Sequence, residues 1–260
     1  IEEKNTFSWI QGVRDCMEIK QLMPHTSLIS VMDREADFFE IFDDQRRKSS
    51  RVDLLIRAQH NRKTMGEHKL FEEVMQSPIQ SRITIKIPRQ SARVKKKNQK
   101  ARNKRAARIA EVTVRYIRTE LKPPPYFKEM PPISLWIIHV KEEKPPAGTK
   151  AVEWFLLTTI DIKSPHDALD CIAWYCLRWR IEDWHRVLKS GCGVEALAHK
   201  TAGRLKRAIA INLVIAWRIM LMTLLGREMP ELPPEVLFSD IEIKVLQAYA
   251  KKKALTFPVL

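Results

Sequence analysis

From Arg82 to Ile87, and again from Glu111 to Ile117, polar and apolar side chains alternate almost one for one. A period of two belongs to a strand with one buried face and cannot be satisfied on a helix. Between these runs lie twenty residues, Arg89 to Arg108, with ten Lys or Arg and no Asp or Glu. Such a run repels itself and cannot pack into a core. The pattern predicts two antiparallel strands joined by a long basic loop. On its own the loop is a solvated connection. Held at both ends, it can also be laid along a phosphate backbone with release of counterions, which makes Lys95, Lys96 and Lys97 candidate DNA contacts.

The β signal continues in the runs Ile133 to Val140 and Trp154 to Thr159, punctuated by Pro123-Pro124-Pro125, Pro131-Pro132 and Pro145-Pro146 as turns. Upstream, residues 3–22 read as an amphipathic helix closed by Pro24, and Ser27 to Met32 as a buried strand ending at Asp33. Arg34 to Gln45 read as a helix and Val52 to Arg57 as the next strand. Strand, helix, strand predicts a parallel pair with a carboxylate at the carboxyl end of its first strand. From Pro165 onward the pattern is mostly helical. The expected fold is an α/β core interrupted by a β-rich insertion and followed by a helical region.

Of 260 residues, 46 are Lys or Arg and 31 Asp or Glu, so two-thirds of the +15 net charge lies in the basic run. With 45% hydrophobic residues the chain can bury one large core or two modest ones, and the composition excludes collagen-like, solenoid and low-complexity chains. Four cysteines without two-residue spacing, and seven histidines without ligand spacing, suggest neither a disulfide scaffold nor a zinc site. Reduced thiols and the lack of a signal-peptide pattern lead us to expect a cytoplasmic protein, and DNA binding by the basic run would make it nucleoid-associated. Ala208 to Leu225 approaches membrane-spanning length but contains Asn212 and Arg218, so a buried core helix is expected and no membrane partner. The chain opens on Ile1, and we expect it to begin inside a longer one.

Tyr175 to Lys189 can be drawn on one helix at about 100° per residue. Tyr175, Arg178, Glu182, Arg186 and Lys189 then share one stripe, with Leu177, Ile181, Trp184 and Leu188 on the opposite, core-facing side; Gly191 and Gly193 end the helix. One reading is a surface helix with Arg178–Glu182 and Glu182–Arg186 ion pairs, worth only a few tenths of a kcal/mol each. The other is a lone carboxylate among phosphate-binding cations, as metal-dependent phosphodiester chemistry requires. That chemistry uses oxygen ligands on Mg²⁺ or Mn²⁺, and Asp33 and Glu182 could supply two. Asp33 equally suits a helix cap.

At these residues the sequence resembles the bacterial insertion-sequence transposases with a ribonuclease H-like core and an Asp-Asp-Glu triad, in the branch with a Tyr-x2-Arg-x3-Glu-x6-Lys signature. Here the signature is Tyr175, Arg178, Glu182 and Lys189, every gap correct. Val31-Met-Asp-Arg-Glu-Ala-Asp37 is similar to the family's second-aspartate motif. The resemblance implies cut-and-paste DNA transposition by metal-dependent phosphodiester hydrolysis and strand transfer. It makes Asp33 the second catalytic, metal-binding aspartate and Glu182 the catalytic, metal-binding glutamate, with Mg²⁺ (Mn²⁺ substituting) as cofactor. Tyr175, Arg178 and Lys189 match groups that hold transposon-end phosphates, and Arg186 lies with them. Trp154 matches a tryptophan that receives a flipped base, although a strand-core aromatic is the alternative. Arg57 fits a DNA contact more loosely.

The implied organisation is a first part of the ribonuclease H-like core over 1–64, a β-rich insertion over 65–162 carrying loop 89–108, the second core part over 163–200, and a helical region over 201–260. Only thirty-two residues precede Asp33, so the first catalytic aspartate and its strands are expected to be missing, leaving the mixed sheet incomplete. The implied partners are double-stranded DNA, at transposon ends and target, and a second copy in the full-length parent. The chain is expected to bind DNA and cleave it poorly or not at all. The alternative is a non-catalytic DNA-binding remnant of a transposase.

Overall fold

A computed structural model describes residues 7–48, 52–87 and 106–253. The chain divides into two compact units, Ile1–Leu177 and Arg178–Leu260.

The first unit is α/β. Helix α1 (Phe7–Leu22) leads to strand β1 (Ile29–Met32), a 3-10 turn (Arg34–Ala36), α2 (Phe39–Arg47) and β2 (Asp53–Arg57). The two strands run parallel, with Met32 opposite Ile56, as strand–helix–strand order predicts. The helix expected over Arg34 to Gln45 is split. Asp37 leaves the helix to bind the loop after β2, and Phe38 is extended (φ −138°, ψ 153°) before α2 starts. A short helix α3 (Leu70–Gln76) went unread in the sequence; its only cue is the Leu70/Val74 pair, both buried.

Strands β3 (Ser81–Ile87), β4 (Arg108–Leu121), β5 (Ile133–Lys141) and β6 (Glu153–Thr158) follow, then α4 (Pro165–Leu177). All six strands form one mixed sheet in the order β1-β2-β6-β5-β4-β3, parallel between β1 and β2 and antiparallel elsewhere. The β-rich segment therefore extends the sheet that begins with β1 and β2. Thr158 and Thr159 fix the junction: Thr158 Oγ1 donates to Leu54 O (2.8 Å) and Leu54 N–H to Thr159 Oγ1 (2.9 Å).

Helices cover both faces, which explains why β2 reads Leu54-Leu55-Ile56 without alternation. Leu54, Ile56, Ile137 and Leu157 pack with Val13, Phe42 and Val74 of α1, α2 and α3. Leu55, Ile138, Val140 and Leu156 pack on the other side with Ala168, Cys171 and Ile172 of α4. Full burial of a side chain such as Phe42 contributes roughly 1.5–3 kcal/mol.

Ile87 lies opposite Arg108, so the basic run does connect two antiparallel strands. Arg108 itself is not a loop cation. It opens β4 and donates through both terminal guanidinium nitrogens to Glu142, whose side chain is 2% exposed and also accepts from Val152 N–H (3.0 Å). The hydrogen bonds from Arg108 hold the Glu142 carboxyl below its usual range against the opposing effect of burial. A depressed folded-state value means this stabilisation is present above the unfolded glutamate pKa, about 4.3, and is lost as pH falls through the folded value. We predict that Glu142→Ala lowers stability by about 3–5 kcal/mol at neutral pH, because it strands a buried guanidinium. In denaturant titrations the gap from the parent should narrow steadily in acid; a gap that does not change with pH would contradict this.

The second unit is helical: α5 (Arg180–Arg186), a π-helical turn (Val187–Gly191), α6 (Ala202–Glu228) and α7 (Asp240–Lys252). Thr201 caps α6 and Ser239 caps α7 in a capping box with Glu242. The expectation that Ala208 to Leu225 is a buried core helix is not met. Only Ala216 is buried, whereas Ile211, Val214, Ile215, Trp217 and Ile219 are exposed. Among the described residues α6 alone is long and apolar enough to cross a membrane by length and composition. A soluble chain is compatible with it: Arg218, in its middle, pairs with Glu242 of α7 (2.6 Å).

Candidate nucleic-acid interface

Asp33 follows β1 one residue beyond the Met32–Ile56 pair, level with Arg57 at the end of β2. Crevices at the carboxyl ends of parallel strands are where α/β sheets hold ligands. Its backbone is extended and its carboxylate Oδ1 accepts from Arg34 N–H (2.7 Å), so Asp33 caps the 3-10 turn. The capping role is thus real, and it leaves the residue half-buried. Arg57 reaches toward β6, where its Nη2 lies 3.4 Å from Glu153 O.

Trp154, next to Glu153 on β6, is half-buried, and its ring meets Tyr175 edge-on with centroids 5.3 Å apart. Tyr175 is only 2% exposed and sits on the core face of α4 with Cys171 and Ile172. It supports the indole from behind and is not part of an open stripe. The first unit therefore gathers Arg57, Trp154 and Tyr175 around β6.

The remaining signature residues belong to the second unit, because the boundary falls between Leu177 and Arg178. The single helix drawn from Tyr175 to Lys189 does not exist. After α4 the chain tightens, with three-residue hydrogen bonds from Ile181 N–H to Arg178 O (3.3 Å) and from Glu182 N–H to Trp179 O (3.0 Å). It then forms α5 and widens into the π turn that carries Lys189. Tight and wide turns change the angle per residue, so the 100° wheel loses phase. This is why Ile181, expected on the core side, is exposed, whereas Leu188 is buried and Trp184 half-buried; Leu177, still within α4, is exposed because that helix buries the opposite face, which carries Tyr175. Gly193, with φ 61°, takes the left-handed conformation that ends the segment, as expected.

Arg178 and Glu182 form the expected pair at 3.7 Å, with the guanidinium also 5.0 Å above the Trp179 ring. The expected Glu182–Arg186 pair is absent: Arg186 binds Asp183 instead (2.7 Å). Lys189 pairs with Glu195 (3.1 Å) and is more than half exposed. Glu182 is about half exposed. Lys95, Lys96 and Lys97 lie outside the described residues.

Asp33 and Glu182 offer the oxygen donors that suit Mg²⁺. Among the described residues, however, no three His, Cys, Asp or Glu side chains form a group able to hold a metal ion. Burial pushes the Cys171 thiol, in the first unit's core, up to about 12, away from the thiolate form.

Sequence reasoning missed Asp37. Its side chain is fully buried and accepts from Gln59 N–H (2.6 Å), His60 N–H (2.9 Å) and the Arg62 guanidinium, which also donates to the Asp37 carbonyl. This latch fixes the loop after β2 to the end of β1, and so fixes the crevice beside Asp33. The second aspartate of Asp33-Arg-Glu-Ala-Asp37 was the available signal. No protein-family model matches the chain.

Proposed function

We propose that the chain is a DNA transposase of the insertion-sequence type, with a ribonuclease H-like sheet, acting by metal-dependent phosphodiester hydrolysis and strand transfer. The observation that carries this reading is Asp33 at the carboxyl end of β1, level with Arg57, in a chain that also has the Tyr175, Arg178, Glu182, Lys189 spacing. Asp33 in the first unit and Glu182 in the second are each our candidate carboxylate ligands for Mg²⁺, which when bound would supply an activated water and charge stabilisation at the leaving oxygen. The protein's own share is positioning. Arg178 and Lys189 hold backbone phosphates, Arg57 lies at the sheet end, and Trp154, backed by Tyr175, offers a ring to an unstacked base. A second copy of the chain is the other partner in this proposal.

The absence of a three-ligand acid group among the described residues favours, as a second reading, a DNA-binding remnant without catalysis. One experiment tests both. Duplex with a cleavable end is incubated with the chain and with Glu182→Gln in Mg²⁺ or Mn²⁺, and binding is followed across a salt series. Cleavage lost in the variant supports the enzyme. Salt-sensitive binding without cleavage, about equal in both proteins, supports the remnant. Failure to bind duplex at low salt would sink both.

A further inference from the structure

An open cleft of about 900 Å³ lies where the loop after β2 meets the proline-rich connection from β4 to β5. Its two sides are one built wall. Met65 N–H donates to Glu120 O (2.9 Å) and Lys122 N–H to Lys63 O (3.1 Å), and Thr64 pairs antiparallel with Leu121. The Asp37–Arg62 latch closes the end nearest β1. A volume of this order suits a small organic ligand and exceeds what a bare ion needs.

The chemistry of the wall narrows the ligand. Asp37 is the only carboxylate in the lining, and its oxygens already take hydrogen bonds from two backbone amides and Arg62. It therefore holds no cation and offsets no further charge. Lys63, Lys122 and Lys128 line the cleft, are exposed, and share no ion pair with a described acid. Three ammonium groups without ion-pair partners around one cleft outnumber the one further carboxylate felt there, Glu40 near Tyr126, and select an anion.

Beside them stands Tyr126, 70% exposed, in a 3-10 turn (Pro125–Phe127) that follows Pro123 and Pro124. Proline restricts φ on the approach to the ring, and Phe127 packs against it with centroids 4.9 Å apart. Partial desolvation and the nearby Glu40 raise the Tyr126 pKa against the opposing Arg62, so the phenol is neutral beside an anion, as an ordinary tyrosine is. An exposed aromatic ring held by prolines, among lysines, provides a stacking face and phosphate contacts together. In a duplex the bases are already stacked on one another, so the face serves an unpaired base.

We propose that this cleft binds a nucleotide unit of a single nucleic-acid strand, its base on Tyr126 and its phosphates on Lys63, Lys122 and Lys128. Recognition of a nucleotide follows from the cleft alone; the choice of a DNA strand over a free nucleotide rests on the transposase reading. The site is separate from Trp154, which lies on β6.

The test compares a labelled oligothymidylate, a duplex of the same length and thymidine monophosphate on the full chain, with Tyr126→Ala, Tyr126→Phe and the triple variant Lys63→Gln/Lys122→Gln/Lys128→Gln. Tyr126→Ala should weaken oligothymidylate binding about tenfold, as loss of one base–aromatic stack does, with Tyr126→Phe close to the parent. Duplex binding should be unchanged by Tyr126→Ala, and bromodeoxyuridine in the single strand should crosslink to the peptide bearing Tyr126. Equal single-strand binding by parent and Tyr126→Ala would overturn the proposal, as would equal loss of duplex and single-strand binding in the triple variant. Monophosphate contacts at Tyr126 without any effect of the variants on the oligonucleotide would overturn the strand as source. Glu182→Gln cleavage results do not enter, so failure of the catalytic reading and failure of this one are distinguishable.

Discussion

Asp37→Ala is expected to destabilise the first unit by about 3–5 kcal/mol, the cost of removing one partner from a buried ion pair. The magnitude follows from what is left behind. Arg62, largely buried, loses the carboxylate that accepts from it, and the Gln59 and His60 amides lose theirs. Each orphaned amide adds a desolvation penalty of about 1–3 kcal/mol where water cannot enter, so relaxation of the loop limits the total. Asp37→Asn should fall between parent and Asp37→Ala, since its oxygen can still accept one bond while its amide nitrogen faces a guanidinium. The measurement is urea denaturation of the three proteins. Coincident midpoints would show that the latch does not hold the end of β1.

Much of the first unit was legible because its signals are local. Alternation gave β3 and β4, runs bounded by proline turns gave β5 and β6, and strand–helix–strand order gave the parallel β1–β2 pair. The pairing of β2 with β6 was not legible: it joins residues about a hundred positions apart through Thr158 and Thr159, and no local period encodes that choice. The split before α2 was hidden because Asp37 and Phe38 suit a helix by composition, and a long-range contact to the loop after β2 decides otherwise.

The candidate site was legible as residues and spacing, less so as geometry. Drawing Tyr175 to Lys189 on one wheel presumes a constant angle per residue. The three-residue bonds at Arg178 and Trp179 and the π turn at Val187–Gly191 break that presumption, and Tyr175 turns inward against Trp154. Arg186 shows the same limit at small scale: both Glu182 and Asp183 lie within helical reach, and side-chain direction selects Asp183. The exposed apolar residues of α6 were read as core because hydropathy reports what a surface prefers, not whether this chain supplies its cover.

Replacing residues 89–105 by a tight turn is expected to have the largest effect on DNA binding. The pairing of Ile87 with Arg108 brings the ends of the segment together, so a short turn can close β3 onto β4 without disturbing the Arg108–Glu142 pair. The replacement removes nine of the ten basic residues in the run and no acidic one. Each phosphate neutralised contributes about −0.9 to the slope of log affinity against log salt, so six or more contacts weaken binding about 10³-fold between about 50 and about 200 mM salt. The parent should show that steepness, and the shortened chain a much shallower line, with low-salt affinity falling far more than high-salt affinity. Both lines should be measured on duplexes of unrelated sequence, because contacts to phosphate carry no base information and must act on each alike. An unchanged slope would move the phosphate contacts onto the folded units, where Arg178 already pairs with Glu182, Arg186 with Asp183 and Lys189 with Glu195. Those three cations would then have to exchange a carboxylate for a phosphate, which returns less counterion per contact than an open cation does. A slope that is steep in the parent and flattens on shortening is thus the signature of the basic run, and a slope that is shallow in both chains that of the paired signature residues.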